Sequence, residues 1–221
     1  MLIQQLISGN IPTLHPADTG THALALMDQT ELESLPLISD DGQYVALAKE
    51  TDLLDWSTPE TPLSTAHFLG FRPAVNLGTH PYEALRIANA SNLDVVPVVE
   101  GDSHYVGSVS REDLLQFLAS NSGLHNPGGI IILEVAPQDY SLWDIARILE
   151  NEGIQILSSH LTTHADTGKL EITLKTNRTD LQGVVQSLER HEYVVKQVFG
   201  DTEGDEDLVS RYNLLMTYIN M

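Results

Sequence analysis

Pro36-Leu37-Ile38 and Pro97-Val98-Val99 are two copies of one strand, 61 positions apart, and this repetition decides the fold. At the same offset and without a gap, Tyr44-Val45 and Asp52-Leu53-Leu54 recur as Tyr105-Val106 and Asp113-Leu114-Leu115. A single unit of this length buries little apolar surface, so tandem copies pack on each other. A pseudo-twofold pair leaves a cleft between its halves, and that cleft is the first place to look for a ligand.

The composition limits the classes of protein that this chain can belong to. The chain has 221 residues, 42% of them hydrophobic, which suits one large or two modest globular domains. Its 11 Lys and Arg against 31 Asp and Glu give a formal charge of −20, which repels a polyanion and excludes nucleic acid as a partner. The sequence has no apolar run of membrane-spanning length, no signal-peptide pattern and no cysteine, so we expect a cytoplasmic protein without a membrane partner.

Each repeat is predicted to fold as helix, strand, strand, helix. Asp18 and Thr79 are the candidate N-caps of the two opening helices, because Asp and Thr side chains accept N–H bonds at helix starts. Glycine-containing turns between the two strands predict a hairpin in each copy. We assign the first repeat to residues 1–58 and the second to residues 59–122, followed by a linker over 123–129.

A different pattern begins after the linker. The predicted elements are a strand over 130–136, a helix opened by a capping box at Ser141 and Asp144, a hairpin of strands over 154–161 and 170–175, a helix from Thr179, and a strand over 193–199. This βαββαβ order over residues 130–200 is the ferredoxin-like arrangement. Residues 201–221 are predicted to form an acidic linker and a C-terminal helix, with Leu208, Tyr212, Leu215 and Ile219 on one face. The sequence therefore predicts a mixed α/β protein, and the ferredoxin-like part places it in the α+β type.

These residues carry two family resemblances. The repeated unit, with its Leu-Pro or Val-Pro-Val core, Tyr-Val strand and terminal Asp-Leu-Leu, resembles the CBS domain, and two in tandem resemble the CBS pair, or Bateman module. Residues 130–199 resemble an ACT domain, on the βαββαβ order and the helix-to-strand transition Glu152-Gly153-Ile154-Gln155-Ile156. In this order the pieces are similar to the bacterial CBS–ACT proteins labelled acetoin-utilisation proteins.

The CBS resemblance implies an adenosine-containing ligand in the cleft between the halves. The family's site motif is Gly, two residues, Ser or Thr, two residues, Asp, and the second repeat carries it as Gly107, Ser110 and Asp113. In this motif the carboxylate accepts the ribose hydroxyls, the short hydroxyl reaches a phosphate or the ribose, and the glycine lets the backbone approach the base. The Ser-x-x-Asp spacing is also that of a helix capping box, so these residues alone leave both interpretations open.

The two repeats differ at this motif. The first repeat keeps Asp52 but has Ala46 and Lys49 in place of the glycine and the hydroxyl, so we expect one competent site rather than two. Lys49 either holds a phosphate from the other site or lies on the surface. The candidate nucleotide-binding residues are Gly107, Ser110, Arg111, Asp113, Arg72, Lys49 and Asp52, of which the two arginines are candidate phosphate partners.

No catalytic or metal site is predicted. The chain has no cysteine nucleophile, no Gly-x-Ser-x-Gly elbow, no Walker loop and no Rossmann fingerprint, so we do not expect an enzyme. His160 and His164 have the i, i+4 spacing of helical metal ligands, but they fall on a predicted strand end and turn, where this spacing does not converge. Tyr140 stands where amino-acid-binding ACT domains have glycine, which argues against an amino-acid ligand there.

The sequence therefore predicts a regulatory protein that senses an adenosyl ligand and requires no cofactor. Candidate ligands are AMP, ADP, ATP, S-adenosylmethionine or a dinucleotide, with Mg²⁺ accompanying a phosphorylated ligand. The ACT-like domain is expected to support a homodimer, and an unidentified protein target is expected to receive the signal. Two alternatives stay open: a ligand-free scaffolding protein, and an amino-acid sensor that works through the ACT-like domain.

Overall fold

A computed structural model describes residues 2–200 of the chain. The chain divides into two compact units, the first ending at Leu118 and the second beginning at Ala119. The mixed helix-and-sheet architecture predicted from the sequence is confirmed in both units. The predicted acidic linker and C-terminal helix over 201–221 lie outside the described residues.

The first unit contains the two sequence repeats. The first repeat consists of α1 (Gly20–Thr30), β1 (Ser34–Ile38), β2 (Tyr44–Lys49) and α2 (Glu50–Leu54). The second consists of β3 (Val75–Asn76), α3 (Pro81–Ser91), β4 (Val95–Glu100), β5 (His104–Ser110) and α4 (Arg111–Asn121). Strand β1 pairs antiparallel with β2, and the second sheet has the order β3-β4-β5. The predicted order of helix, strand, strand, helix is present in both copies.

The opening helices of both repeats end in the same way, but their N-caps differ from the prediction. The C-cap of α1 is Glu31 and that of α3 is Asn92, each in the left-handed conformation, and these two residues are 61 positions apart. The N-caps are Thr19, whose hydroxyl accepts from the His22 amide, and His80, so the predicted caps Asp18 and Thr79 are each wrong by one residue. The side chains of Asp18 and Thr79 instead close the turn that precedes each helix.

Each repeat completes its core with a side chain from the segment that precedes the other repeat. Ile3 is fully buried among the core residues of the second repeat, and its amide donates to the Thr79 carbonyl at 3.0 Å. Leu63 is 1% exposed in the core of the first repeat, and its amide donates to the Asp18 carbonyl at 2.7 Å. Because Asp18 and Thr79 occupy equivalent positions in the two repeats, the two insertions form a pseudo-symmetric exchange.

A third apolar cluster joins the two repeats directly. It contains Ile38, Tyr44 and Leu47 from the first repeat and Leu93 and Val99 from the second. The two hairpin turns also form backbone hydrogen bonds with each other. The Tyr44 amide donates to the carbonyl of residue 103 at 2.8 Å, and the amide of residue 105 donates to the carbonyl of residue 42 at 3.0 Å. Burial raises the pKa of the Tyr44 phenol, whose hydroxyl donates to the carbonyl of residue 73. The repeats therefore form one body.

The second unit is a four-stranded antiparallel sheet with two helices. Its elements are β6 (Ile130–Val135), α5 (Leu142–Asn151), β7 (Ile156–Thr163), β8 (Leu170–Thr176), α6 (Gln182–Arg190) and β9 (Val194–Phe199), and the strand order is β7-β8-β6-β9. This confirms the predicted βαββαβ order and its ferredoxin-like topology. The predicted cap of α5 is also confirmed, because Ser141 Oγ accepts from the Asp144 amide at 3.2 Å. Over residues 2–200, no helix has the length and apolar character needed to cross a membrane.

Removing one exchanged side chain is expected to destabilise the first unit. Leu63→Ala should lower the free energy of unfolding by about 2–5 kcal/mol, because it leaves a cavity in the core of the first repeat. Leu63 itself belongs to the second repeat in the sequence. The measurement is urea unfolding followed by Trp56 fluorescence in a Trp143→Phe background, since Trp56 packs on the same core.

The matched control for this prediction is Leu54→Ala, because Leu54 is 65% exposed. Its effect should stay within about 0.5 kcal/mol. Equal effects of the two substitutions would contradict the exchange of core residues between the repeats.

Candidate functional site

The motif of the second repeat lies where β5 passes into α4. Ser110 is the last residue of β5 and pairs with Val95 at the start of β4. The Ser110 amide and hydroxyl both donate to Oδ2 of Asp113, and the Asp113 amide donates back to Ser110 Oγ at 3.0 Å. The two side chains therefore form a reciprocal capping box at the start of an 11-residue helix. These capping bonds to the carboxylate all end on Oδ2.

Gly107, the first residue of the motif, lies directly beneath Ile7. A Cβ atom at Gly107 would lie 2.4 Å from Ile7 Cγ2, which is far inside van der Waals contact. The N-terminal segment is held in this place by the Ser8 amide, which donates to the Ser108 carbonyl at 2.9 Å. Packing against Ile7 thus explains why residue 107 is a glycine. Contact between Gly107 and the base of a ligand stays a prediction.

The predicted basic residues are held by acceptors or rings of the chain itself. The Arg111 guanidinium donates to the carbonyl of Leu93 at 3.1 Å and to Oδ1 of Asn92 at 3.4 Å. Arg72 donates to the carbonyl of residue 44 at 2.7 Å. Lys49 Nζ lies 4.4 Å from the centre of the Phe71 ring, a cation–π contact.

Both repeats line a cavity of about 320 Å³ in the first unit. Its lining comes from the start of β1 (Glu33, Ser34), the passage from β2 into α2 (Lys49, Glu50, Thr51) and the segment between α3 and β4 (Ser91, Asn92, Leu93, Asp94). Of the predicted site residues, Lys49 is in this lining and Asp52 lies one residue beyond it on α2. The cavity borders the second-repeat motif, because the Arg111 amide donates to the Asp94 carbonyl at 2.7 Å.

Asp94 connects the two repeats at this cavity. Its Oδ2 accepts from the Glu33 amide at 2.6 Å, and its Oδ1 accepts from the hydroxyl of Ser34, which is 2% exposed. Residues 33 and 94 are equivalent in the two repeats, so both copies have an acidic residue at this position. Sequence reasoning missed Asp94, and the acidic residue at both equivalent positions was the available signal.

The cavity lining is acidic. It contains three carboxylates, from Glu33, Glu50 and Asp94, and one ammonium group, from Lys49. The sign of the local charge is thus the same as that of the whole chain, which has a formal charge of −20. A bound anion would meet repulsion here unless a cation accompanied it.

The second unit has a cavity of its own, of about 370 Å³, at the ends of β6 and β9. Lys169 Nζ lies 2.6 Å from Glu134 Oε1 at its rim, and this contact holds the pKa of the Glu134 carboxyl below its ordinary value. His160 lies on β7, and His164 follows the strand and contacts Glu171 at 3.1 Å. Within the described part of the chain, no three His, Cys, Asp or Glu side chains converge as metal ligands would.

Comparison with known proteins identifies the repeated unit. A protein-family model described as the CBS domain matches residues 3–59 and 72–120. Similar solved structures include CBSX2 in complex with AMP, which has 18% sequence identity and a TM-score of 0.47, and the match covers 54% of this chain and 96% of that chain. Another is a CBS domain pair/ACT domain protein from Thermotoga maritima, which has 20% sequence identity and a TM-score of 0.48, and this match covers 54% of this chain and 98% of that chain. A third is a putative acetoin utilization protein from Vibrio cholerae (18%, 54% and 91%, TM-score 0.47).

The contact between Ile7 and Gly107 predicts a specific pattern of stability. Gly107→Ala should lower the free energy of unfolding by about 1–3 kcal/mol, because the new methyl group overlaps the Ile7 side chain. The double variant with Ile7→Ala should recover part of that loss, which a double-mutant cycle in urea measures.

Gly78→Ala is the control, because a Cβ atom at Gly78 meets nothing within 4 Å. If the losses caused by Gly107→Ala and Ile7→Ala simply add, the two residues are not in the described contact.

Proposed function

Residues 3–59 and 72–120 are a pair of CBS domains, and from this premise we propose that the protein is a regulatory sensor of an adenosyl ligand. The observation that carries the proposal is the intact Gly107, Ser110 and Asp113 spacing, which lies beside a cavity lined by both domains. We assign no catalytic step to the protein.

The ligand contacts are proposed at the start of α4. Capping occupies Oδ2 of Asp113, so Oδ1 is the oxygen that would accept a ribose hydroxyl. Ser110 Oγ donates to Asp113 and accepts from the Asp113 amide, which leaves one lone pair for a ligand donor. Capping and ligand binding are therefore compatible at the same two side chains, although the sequence presented them as alternatives.

Asp94 is the proposed route by which the ligand affects the first domain. The main chain of Arg111, next to Ser110 in sequence, bonds to the Asp94 carbonyl, and the Asp94 carboxylate bonds to residues 33 and 34 of the first domain. A ligand that moves the start of α4 would change these contacts and with them the packing of the two domains. The size of the effect is limited by the ligand's difference in affinity between the two arrangements.

A single competent site is proposed, in the second domain. The corresponding positions of the first domain hold Ala46 and Lys49 rather than glycine and a hydroxyl, and its helix α2 has only five residues. Arg111 and Lys49 are the proposed partners of a ligand group that extends toward the cavity, and Arg72 and Asp52 are secondary candidates.

The second unit is proposed to support a homodimer as an ACT-like domain. Its βαββαβ order supports this proposal, as do the exposed apolar side chains of strand β9. Val194 is 55% exposed and Phe199 is 54% exposed. A cytoplasmic location and an unidentified protein target complete the proposal.

Thermal unfolding of the whole chain against a ligand panel tests the proposed function. The panel contains adenosine, AMP, ATP with and without Mg²⁺, S-adenosylmethionine, NAD and the common amino acids. A ligand at a hundred times its Kd should stabilise the folded state by about 2.7 kcal/mol, which is roughly 5–10 °C in Tm for a chain of this size.

Asp113→Asn is the decisive variant, because an amide oxygen still accepts from Ser110 and preserves the cap while the charge is lost. The shift with an adenosyl compound should fall to near zero in Asp113→Asn and persist in the control Asp55→Asn, which removes an exposed carboxylate at the end of α2. An unchanged shift in Asp113→Asn would remove the site assignment, and no shift with any compound would favour the scaffolding protein.

A further inference from the structure

Both helices of the second unit pack on the same face of its sheet. On that face Ile131 and Leu133 of β6 are fully buried among the side chains of α5 and α6. We call the opposite face the open face, and β6 contributes Ile130 and Ile132 to it, because alternate residues of a strand point to opposite sides. We propose that residues 208–219 of the same chain form a helix that packs on the open face, independently of any ligand of the first unit.

The sequence of β6 indicates that the open face is covered. An antiparallel sheet with one face in water alternates apolar and polar residues, whereas β6 begins with four apolar residues in a row, 130–133. Ile130 and Ile132 are half-buried and lie outside the buried cluster of the unit. Phe199 pairs with Ile130 on the edge strand β9 and is 54% exposed. These three side chains form an apolar patch at the end of the open face where β6 begins.

The charges of the open face differ between its two ends. At the end away from the patch, Lys196 Nζ lies 3.5 Å from Glu134 and 3.3 Å from Glu171, so the charges there are paired. Beside the patch, the Lys175 ammonium donates to the Gly128 carbonyl at 2.6 Å and forms no ion pair with a described residue. An occupant that brings carboxylates to this end of the face would complete the pairing.

The chain that follows β9 has both of the required properties. Phe199 is the last residue of β9, so the chain leaves the sheet at the patch and beside Lys175. Residues 201–207 carry five carboxylates. The apolar residues that follow are spaced four, three and four apart, as on one side of a helix, and they are Leu208, Tyr212, Leu215 and Ile219.

The lengths allow this segment to cover the face of its own sheet. The seven residues 201–207 reach at most about 24 Å when extended. The four strands of the sheet are about 14 Å across, and residues 208–219 would measure about 18 Å as a helix. The helix therefore spans the open face, and the free backbone edge of β9 stays available for the proposed homodimer.

Thiol labelling of the whole chain tests the inference, because the chain has no cysteine of its own. Thr173→Cys places a single thiol on the open face, beside Ile132, with which Thr173 pairs. Adding Leu215→Asp should increase the rate of alkylation by iodoacetamide at least about tenfold, because the buried charge displaces the helix and exposes the thiol. Thermal unfolding of each variant should stay cooperative, since residue 215 is not part of the described core.

Leu214→Asp is the matched control. It makes the same substitution at the adjacent leucine, which a helix places about 130° from the centre of the apolar side, so the rate at Thr173→Cys should not change. A reference thiol at Thr167→Cys, in the exposed turn between β7 and β8, should react rapidly with or without Leu215→Asp.

Crosslinking shows which chain supplies the helix. In a variant with Thr173→Cys and Leu215→Cys, a short bismaleimide should join the two thiols within one chain, and the product should migrate as a monomer on a denaturing gel. A product of dimer size would assign the face to a second copy and overturn the inference. A rate at Thr173→Cys that Leu215→Asp leaves unchanged would also overturn it, because the face is then either open or covered by another part of the protein.

Discussion

The exchange of core side chains between the repeats is the constraint on which the rest of the first unit depends. Ile3 fills the core of the second domain and Leu63 that of the first, so neither domain has a complete core without the segment that precedes its partner. Burying a side chain of this size contributes about 1.5–3 kcal/mol to folding. The exchange, together with the shared cluster around Tyr44, holds the two domains against each other.

The function proposed here depends on small departures from the internal symmetry. The two domains share their backbone plan, yet position 107 is glycine where its equivalent is Ala46, and Ser110 corresponds to Lys49. Positions 33 and 94 are both acidic, but the structure shows the Asp94 side chain bonded across to the first domain. A symmetric scaffold thus has one complete motif and an acidic cavity beside it.

The elements were predictable from local patterns, while the contacts of the site were not. Pro36 and Pro97 revealed the repeat, and the capping box at Ser141 located α5, because these signals involve residues close in sequence or identical between copies. The N-caps predicted at Asp18 and Thr79 were wrong by one residue, because the side chains of the neighbouring residues Thr19 and His80 also accept N–H bonds. The geometry of the turn decides which of two adjacent residues caps the helix. The contact of Ile7 with Gly107 joins residues far apart in sequence, so no local pattern reports it.

The number of ligand molecules bound per chain tests the central claim, that the pair has one competent site and that it is in the second domain. Titration calorimetry of the whole chain with a saturating adenosyl ligand should give one molecule per chain. In Ser110→Ala the binding heat should fall sharply while thermal unfolding stays cooperative. Two equivalent molecules per chain, or one that binds Ser110→Ala with unchanged affinity, would contradict the account.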